Sequence, residues 1–469
     1  MLLHTGERVR HPHANVPPST SRQRPVRLVT ASSVSPASAG DVDQRLAALR
    51  CPFCRGTLEV HDVPTPAEGR GRWGLLRCSC REHPLIDDIV ILNDGSLGHM
   101  SEADAGVVLP GPSVADVVAR LREGRTSTVL STLLVRPPAP HRLSGRRIPR
   151  WVATASPIAR EMARLRRPLI GAVLRRRRDT MTAERWLHLT YRRTALPGDL
   201  YNHFFMRFGQ PRMLAAMALL EGMPDGPIVD LCSGYGHLLH TLGTTRPAIA
   251  VDQSFLSLWV SRWYVAPHAL HVCADANRTL PLRDGAATSA VCSDAFCYLS
   301  DLPARAAELV RVAGGGPVVL ARLGNVAHAP HEGTEHTVEG WRGMLSALGP
   351  VRMWTEDELQ ATYLSNRTAD PTIDGPDLEG GKWLCAAIGD GLAAEAALSD
   401  PAPHHRGRLV RNPLYVPDGD EERFAFPSAW YAAENGSLTD LLPGRVDRHH
   451  RIPSGPGDLT IVGVPDRYC

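Results

Sequence analysis

The sequence predicts an α/β protein whose main domain is a parallel sheet covered by helices on both faces, with a small cysteine-bearing β unit in front of it. Three observations carry this. From about residue 200, short apolar strands alternate with helices, the pattern of strand–helix–strand units. The first strand, "PIVDLC", runs into a loop with two glycines, Gly234 and Gly236, and then into an apolar helix. Near the N-terminus, four of the ten cysteines cluster as Cys51, Cys54, Cys78 and Cys80.

Composition sets the outer bounds. A chain of 469 residues with 43% hydrophobic and 22% charged residues has room for two or three ordinary globular domains. The net charge of +3 is too small to argue for a polyanionic partner by itself. Lys382 is the only lysine, so the abundance of arginine reads in part as the coding bias of a GC-rich bacterial genome. No apolar run approaches the ~20 residues that span a bilayer, so no membrane partner is expected. The scattered cysteines sit among apolar neighbours and read as reduced core thiols, which places the protein in the cytoplasm.

The segments follow in order. Residues 1–45 are rich in Ser, Pro, Arg and His without apolar periodicity and read as a disordered tail. Residues 46–96 form the small β unit with two cysteine-bearing turns. Residues 97–195 are a linker and basic helical connector, including a helix over Ser113 to Arg122. Between Arg160 and Arg193 stand eleven arginines and three acids, Glu161, Asp179 and Glu184. Met162, Leu165, Leu169, Val173 and Leu174 recur among them at helical spacing, which predicts a pair of amphipathic helices broken at Pro168. Residues 196–390 are the α/β domain, with strands "PIVDLC", "AIAVD", "ALHVCAD", "SAVCSDAF" and "GPVVLARL". "GPVRMW" and "KWLCAAIG" supply two more. Residues 391–469 are Pro-rich and aromatic, and read as an ordered but irregular extension.

The glycine loop points to a ligand. Positions without Cβ let the backbone approach a bound molecule closely. The dinucleotide fingerprint G-x-G-x-x-G does not fit, because Cys232 stands at the first glycine position and Leu239 at the third. The acids fit better. Asp230 starts the loop, Asp252 ends the second strand and Asp275 ends the third, at the carboxyl edge where such sheets bind ligands. An acid after each of three successive strands suits an amino acid, a ribose and an adenine.

"VDLCSGYGHLL", "AVDQS", "CADANRTLPLRDGAATSAVCSDAFCYL" and "ELVRVAGGGPVVLARLGN" together resemble class I S-adenosylmethionine-dependent methyltransferases, over about residues 200–390. The resemblance implies a seven-stranded Rossmann-like domain and S-adenosyl-L-methionine as cofactor. Position by position, it places Asp230, Cys232, Ser233, Gly234 and Gly236 around the methionine moiety and Asp252 with Gln253 on the ribose. It places Asp275 with Ala276 on the adenine, and Asp294 near the methyl donor. Cys232 departs from the family's glycine and bears on the tightness of the loop.

Two cysteine pairs presented by turns can form the tetrahedral thiolate shell of a structural zinc. The second pair here is C-x-C, one residue shorter than usual. "CPFCRGTLEV" and "LRCSCREHPLIDDIVIL" resemble the small zinc-ribbon domain that accompanies methyltransferases, with His83 as an alternative ligand. Four reduced thiols without metal remain the competing reading.

Methyl transfer needs alignment of the acceptor with an activated methyl, and a base only where the acceptor must lose a proton. His328, His331 and Tyr298 are the candidates, with Asn325 and His336 on the same loop after the fifth strand. "SDAF" replaces the "NPPY" that marks enzymes acting on adenine or glutamine amide nitrogens. The reading favoured by the sequence is methylation of a small-molecule acceptor on oxygen or nitrogen. An RNA methyltransferase guided by the basic helices is the first alternative. A catalytically silent cofactor-binding or scaffold protein is the second.

Overall fold

The computed structural model describes residues 45–95, 97, 99–101, 107–109, 112–134, 157–177, 179–191, 204, 206–210, 212–244, 246–328, 336–393, 405–427, 429–448 and 458–469. The expected N-terminal tail up to residue 44, the linker 135–156 and His331 lie outside them.

Strands β1 (Glu59–Asp62), β2 (Gly74–Arg77), β3 (Glu82–Ile86) and β4 (Ile89–Ile91) form an antiparallel meander, followed by the hairpin β5 (His99–Ser101) and β6 (Val107–Leu109). The α/β region supplies β7 (Ile228–Leu231), β8 (Ala248–Asp252), β9 (Leu270–Cys273), β10 (Ser289–Ser293), β11 (Val318–Gly324), β12 (Val351–Thr355) and β13 (Trp383–Ile388). Their order in the sheet is β9-β8-β7-β10-β11-β13-β12, with β13 antiparallel to both neighbours and the other pairs parallel. This is the expected seven-stranded Rossmann-like sheet. The strand order reverses between β7 and β10, which opens the ligand crevice at their carboxyl ends.

The sheet does not stop at seven strands. Parallel pairing of β4 with β9, Ile89 opposite His271 and Ile91 opposite Cys273, joins the cysteine-bearing meander to it as one eleven-stranded sheet. The β3–β4 turn explains the attachment. Asp87 and Asp88 take left-handed conformations at φ 57° and 68°, as a two-residue hairpin turn requires. Buried Asp87 then accepts hydrogen bonds from the backbone of Arg70 and Gly71 and from the indoles of Trp259 (2.8 Å) and Trp263 (3.1 Å). Those indoles belong to the helix Phe255–Val260 and the π turn after it. Asp88 pairs with Arg262 from the same turn at 3.0 Å.

Apolar residues alternate across the sheet, so a core forms on each face. Val229, Leu231, Val251 and Leu320 pack against the helices Leu302–Ala313 and Val338–Leu345 on one face. Ile228, Ala250 and Val319 pack on the other, where the helix Arg212–Leu220 and the connector helices lie.

Two expectations are corrected. The basic stretch does form two helices, but they do not break at Pro168: the first, Pro157–Arg177, is continuous through it, and the second is Ala183–Tyr191. Pro168 lies on its exposed side, where water can satisfy the carbonyl one turn earlier that the ring leaves without a donor. Beyond it, buried Ile170 and Leu174 anchor the second half of the helix. The C-terminal extension is regular rather than irregular. β14 (Arg408–Arg411) pairs with β18 (Ile461–Val464), and β15 (Tyr415–Asp418), β16 (Glu421–Phe424) and β17 (Arg445–Asp447) form a second small sheet. Pro417 stands in β15, an edge strand that tolerates its missing donor.

Asp87→Ala is expected to leave two indole and two backbone N–H groups without their acceptor. At about 1–3 kcal/mol per buried unpaired group, and with partial compensation by water, the loss of stability should be roughly 3 kcal/mol or more. Denaturant unfolding measures it, and a loss below about 1 kcal/mol would refute this role for Asp87.

Candidate functional site

The loop after β7 is built from left-handed residues. Cys232, Gly234 and Gly236 sit at φ 60°, 54° and 80°. The two glycines differ in use. A Cβ at Gly234 would meet nothing within 4 Å, so this glycine faces open space, as a ligand-facing position should. A Cβ at Gly236 would lie 2.3 Å from Ser261 Oγ, so Gly236 serves the packing of the helix His237–Leu242 on the π turn Ser261–Val265. Cys232 holds a conformation that disfavours a side chain, and its thiol packs against the core with Cys292 and Phe296.

The three expected acids lie at the carboxyl ends of neighbouring strands. Asp230 is buried, and its Oδ2 has no partner among the described residues; Ser233 Oγ is in the same position. Burial, reinforced by the nearby Asp252 carboxylate, pushes Asp230 up to about 8. Asp252 accepts the Gly234 N–H at 2.9 Å and the Ser254 N–H at 2.8 Å, one on each oxygen. Gln253 follows on the same loop, where its carbonyl accepts the Cys273 thiol. Asp275 accepts the Asn277 N–H at 2.9 Å and lies 3.5 Å from Arg278, while Ala276 is buried beside it.

Asp294, expected near the methyl donor, is the hub of an ion network. Arg207, Arg212 and Arg322 reach it at 2.8, 2.6 and 2.9 Å. They hold its carboxyl far below the usual carboxylate range despite its burial. Arg322 also pairs with Glu356 at 3.1 Å and Glu434 at 2.7 Å. Glu434 closes the helix Ala429–Glu434, so the network fastens the C-terminal extension over the ends of β10 and β11. The expected aromatic residues follow the same path, with ring contacts from Tyr415 through Phe424 and Phe426 to buried Tyr431. The chain end seals the other side. Tyr468 hydrogen-bonds His237 and the Phe204 carbonyl, next to the glycine loop.

Sequence reasoning missed this network. Its signal was an arginine inside an apolar strand ("VVLARLG") and another opening an apolar helix ("RMLAAMALL"). Neither is stable there without a buried partner.

Among the candidate bases, Tyr298 is exposed and follows β10. His328 Nε2 lies 2.6 Å from the Glu379 carbonyl, so that nitrogen carries the hydrogen and Nδ1 is the one able to accept a proton. Asn325 is a buried strut that donates to Glu379 and Gly381, and His336 packs edge-on to Trp341.

The four N-terminal cysteines converge. Their sulfurs lie within 4.8 Å of one another, with Cys51–Cys80 at 3.6 Å and Cys78–Cys80 at 3.4 Å. A zinc–sulfur bond of about 2.3 Å sets tetrahedral sulfur pairs about 3.8 Å apart, so the set fits that ion. Buried His83 is drawn down to about 4 by burial and is neutral. Its Nε2 lies 3.5 Å from the Cys51 sulfur, at the edge of the group formed by the four thiols.

No protein-family model and no curated protein matches the sequence. Similar solved structures exist. An S-adenosylmethionine-dependent methyltransferase from Aquifex aeolicus matches over 41% of this chain and 93% of its own, at 17% identity and a TM-score of 0.28. The complex of the Haloferax volcanii Trm112 methyltransferase activator with a methyltransferase matches over 41% and 91%, at 17% identity and 0.30. Geranyl diphosphate C-methyltransferase from Streptomyces coelicolor, solved with Mg2+, geranyl-S-thiolodiphosphate and S-adenosyl-L-homocysteine, matches over 39% and 76%, at 16% identity and 0.28.

Two predictions follow from the geometry. The folded chain keeps the Asp230 proton up to about pH 8, whereas the unfolded chain releases it near pH 4. The stability this group contributes is therefore present below about pH 4 and is lost as pH rises to about 8. Asp230→Asn should melt like the parent at about pH 4 and progressively above it as pH approaches 8. A pH-independent difference would overturn the assignment. For the thiols, metal analysis should find close to one zinc per chain, and Cys51→Ser should lower that content and the melting temperature together, since binding energy is folding energy in such sites. Metal-free protein of unchanged stability would rule zinc out.

Proposed function

We propose that this chain is a methyltransferase that carries the activated methyl of S-adenosylmethionine to a small-molecule acceptor. The observation that carries the reading is the crevice at the ends of β7, β8 and β9. There a ligand-facing glycine stands beside two buried polar atoms without partners, followed by an acid on each of the next two strands. A cofactor that presents an ammonium, a sulfonium and a ribose uses such groups. Asp230, Cys232, Ser233, Gly234 and Gly236 would surround its methionine part, Asp252 and Gln253 its ribose, and Asp275 and Ala276 its adenine. The cofactor supplies the electrophilic carbon. The chain's own work is alignment and exclusion of water.

The acceptor would enter from the ends of β10 and β11, under the C-terminal extension. His328 Nδ1 would be the atom to take a proton from a hydroxyl or amine, since its Nε2 is engaged by the Glu379 carbonyl. Tyr298 stands on the opposite loop. Asp294 positions Arg207, Arg212 and Arg322 rather than acting on the methyl. The buried ion network fastens the C-terminal extension over this end of the crevice, and that enclosure favours a compact acceptor over RNA. The four cysteines would hold one structural zinc, whose closed thiolate shell has no open position for chemistry.

Asp252→Ala should bind S-adenosylmethionine at least about tenfold more weakly in calorimetry, because charge-assisted hydrogen bonds of about 1.5–3 kcal/mol are lost. Parent-like affinity in the variant, or tighter binding of NAD than of S-adenosylmethionine, would sink the cofactor assignment. Methyl label incubated with a bacterial extract should pass to its low-molecular-weight fraction. Label in RNA would move the acceptor class and leave the cofactor standing.

A further inference from the structure

The helix Pro157–Arg177 has two apolar rows, and the fold uses one of them. Ile170 and Leu174 are buried against the helix Val129–Leu134, with Val173 packed beside them. On the other side Leu165 is 71% exposed and Leu169 55%. No described leucine is more exposed. The two are four apart, so they lie one above the other along the helix.

The surroundings of this row are cationic. The helix contains seven arginines and one acid, Glu161. Arg176 and Arg177 are exposed in its last turn, while Arg175 pairs with Glu68 at 2.7 Å. No described helix is long and apolar enough to cross a membrane, and this one is held to the protein along its buried row. An exposed apolar row flanked by arginines is the arrangement of a helix that lies in the headgroup region of a bilayer. Two other occupants fit less well. Nucleic acid would use the arginines and leave the leucines without a role. A second copy of the same face would bring like charges together.

We propose that this face docks on an anionic lipid surface, with Leu165 and Leu169 entering the acyl boundary and the arginines meeting lipid phosphates. This mode requires no spanning segment. The proposal is independent of the methyl-transfer reading, because its readout is lipid binding.

The test is sedimentation of the full chain with vesicles. Phosphatidylcholine vesicles containing phosphatidylglycerol should bind it, and pure phosphatidylcholine vesicles should bind at least about tenfold less, since each arginine near an anionic surface adds roughly fivefold. Added salt should weaken the binding. Leu165→Glu with Leu169→Glu should lower it at least about tenfold, and so should Arg176→Glu with Arg177→Glu. All four positions are exposed, so both variants should keep the parent melting temperature. Three results would overturn the proposal: no binding to anionic vesicles, equal vesicle binding by the leucine variant with preferential capture of total RNA, or a solution dimer that the leucine variant converts to monomer.

Discussion

Arg322 is the constraint around which the rest of the site is arranged. A guanidinium in the middle of an apolar strand is costly to desolvate, by several kcal/mol before compensation. The protein offsets that cost with three carboxylates, Asp294, Glu356 and Glu434, and with the Trp383 ring 4.1 Å from the guanidinium carbon. The geometry depends on a local irregularity. Arg322 takes φ 62°, and the β11–β13 register shifts between Ala321 and Leu323. The bulge turns one side chain out of the alternation and aims it along the sheet's carboxyl edge. Each acid then comes from a different element, so one buried cation ties the loop after β10, the helix Glu356–Leu364 and the C-terminal extension together.

The charges in this cluster do not share burial equally. Three arginines converge on Asp294, and their field outweighs desolvation and keeps it ionised. Burial wins at Glu356, whose carboxyl is raised. Burial, reinforced by Asp252, wins again at Asp230 across the crevice over the opposing field of Arg207, and among the described residues no cation pairs with it. Two acids at neighbouring strand ends are thereby set to opposite protonation states: Asp294 is an anchor, and Asp230 keeps its proton until a cation arrives.

The cysteine unit has a mechanical place in the same scheme. Its last strand lies beside β9, the strand that leads to Asp275, and Leu92 N–H bonds the Cys273 carbonyl at 2.8 Å. Arg278 spans from Asp275 to Asp94, which follows β4. The four thiols sit on the turn before β1 and on the turn between β2 and β3.

The sequence by itself determined what is local. Apolar alternation and strand–helix spacing defined the seven strands. The loop at Gly234, the acids at Asp230, Asp252 and Asp275, and the two cysteine turns were readable because each depends on neighbours a few positions away. Tertiary structure alone decided the partners. Nothing local to Arg322 names Glu434, which lies more than a hundred residues on, and nothing near Asp87 names Trp259. Gly234 and Gly236 are equal in sequence, yet only Gly236 is filled from behind by Ser261. Pro168 reads as a break, but the buried row after it keeps the helix whole. Propensity and period act over one or two turns, whereas the choice of partner for a buried charge is set by the cost of leaving it unpaired once distant segments have met.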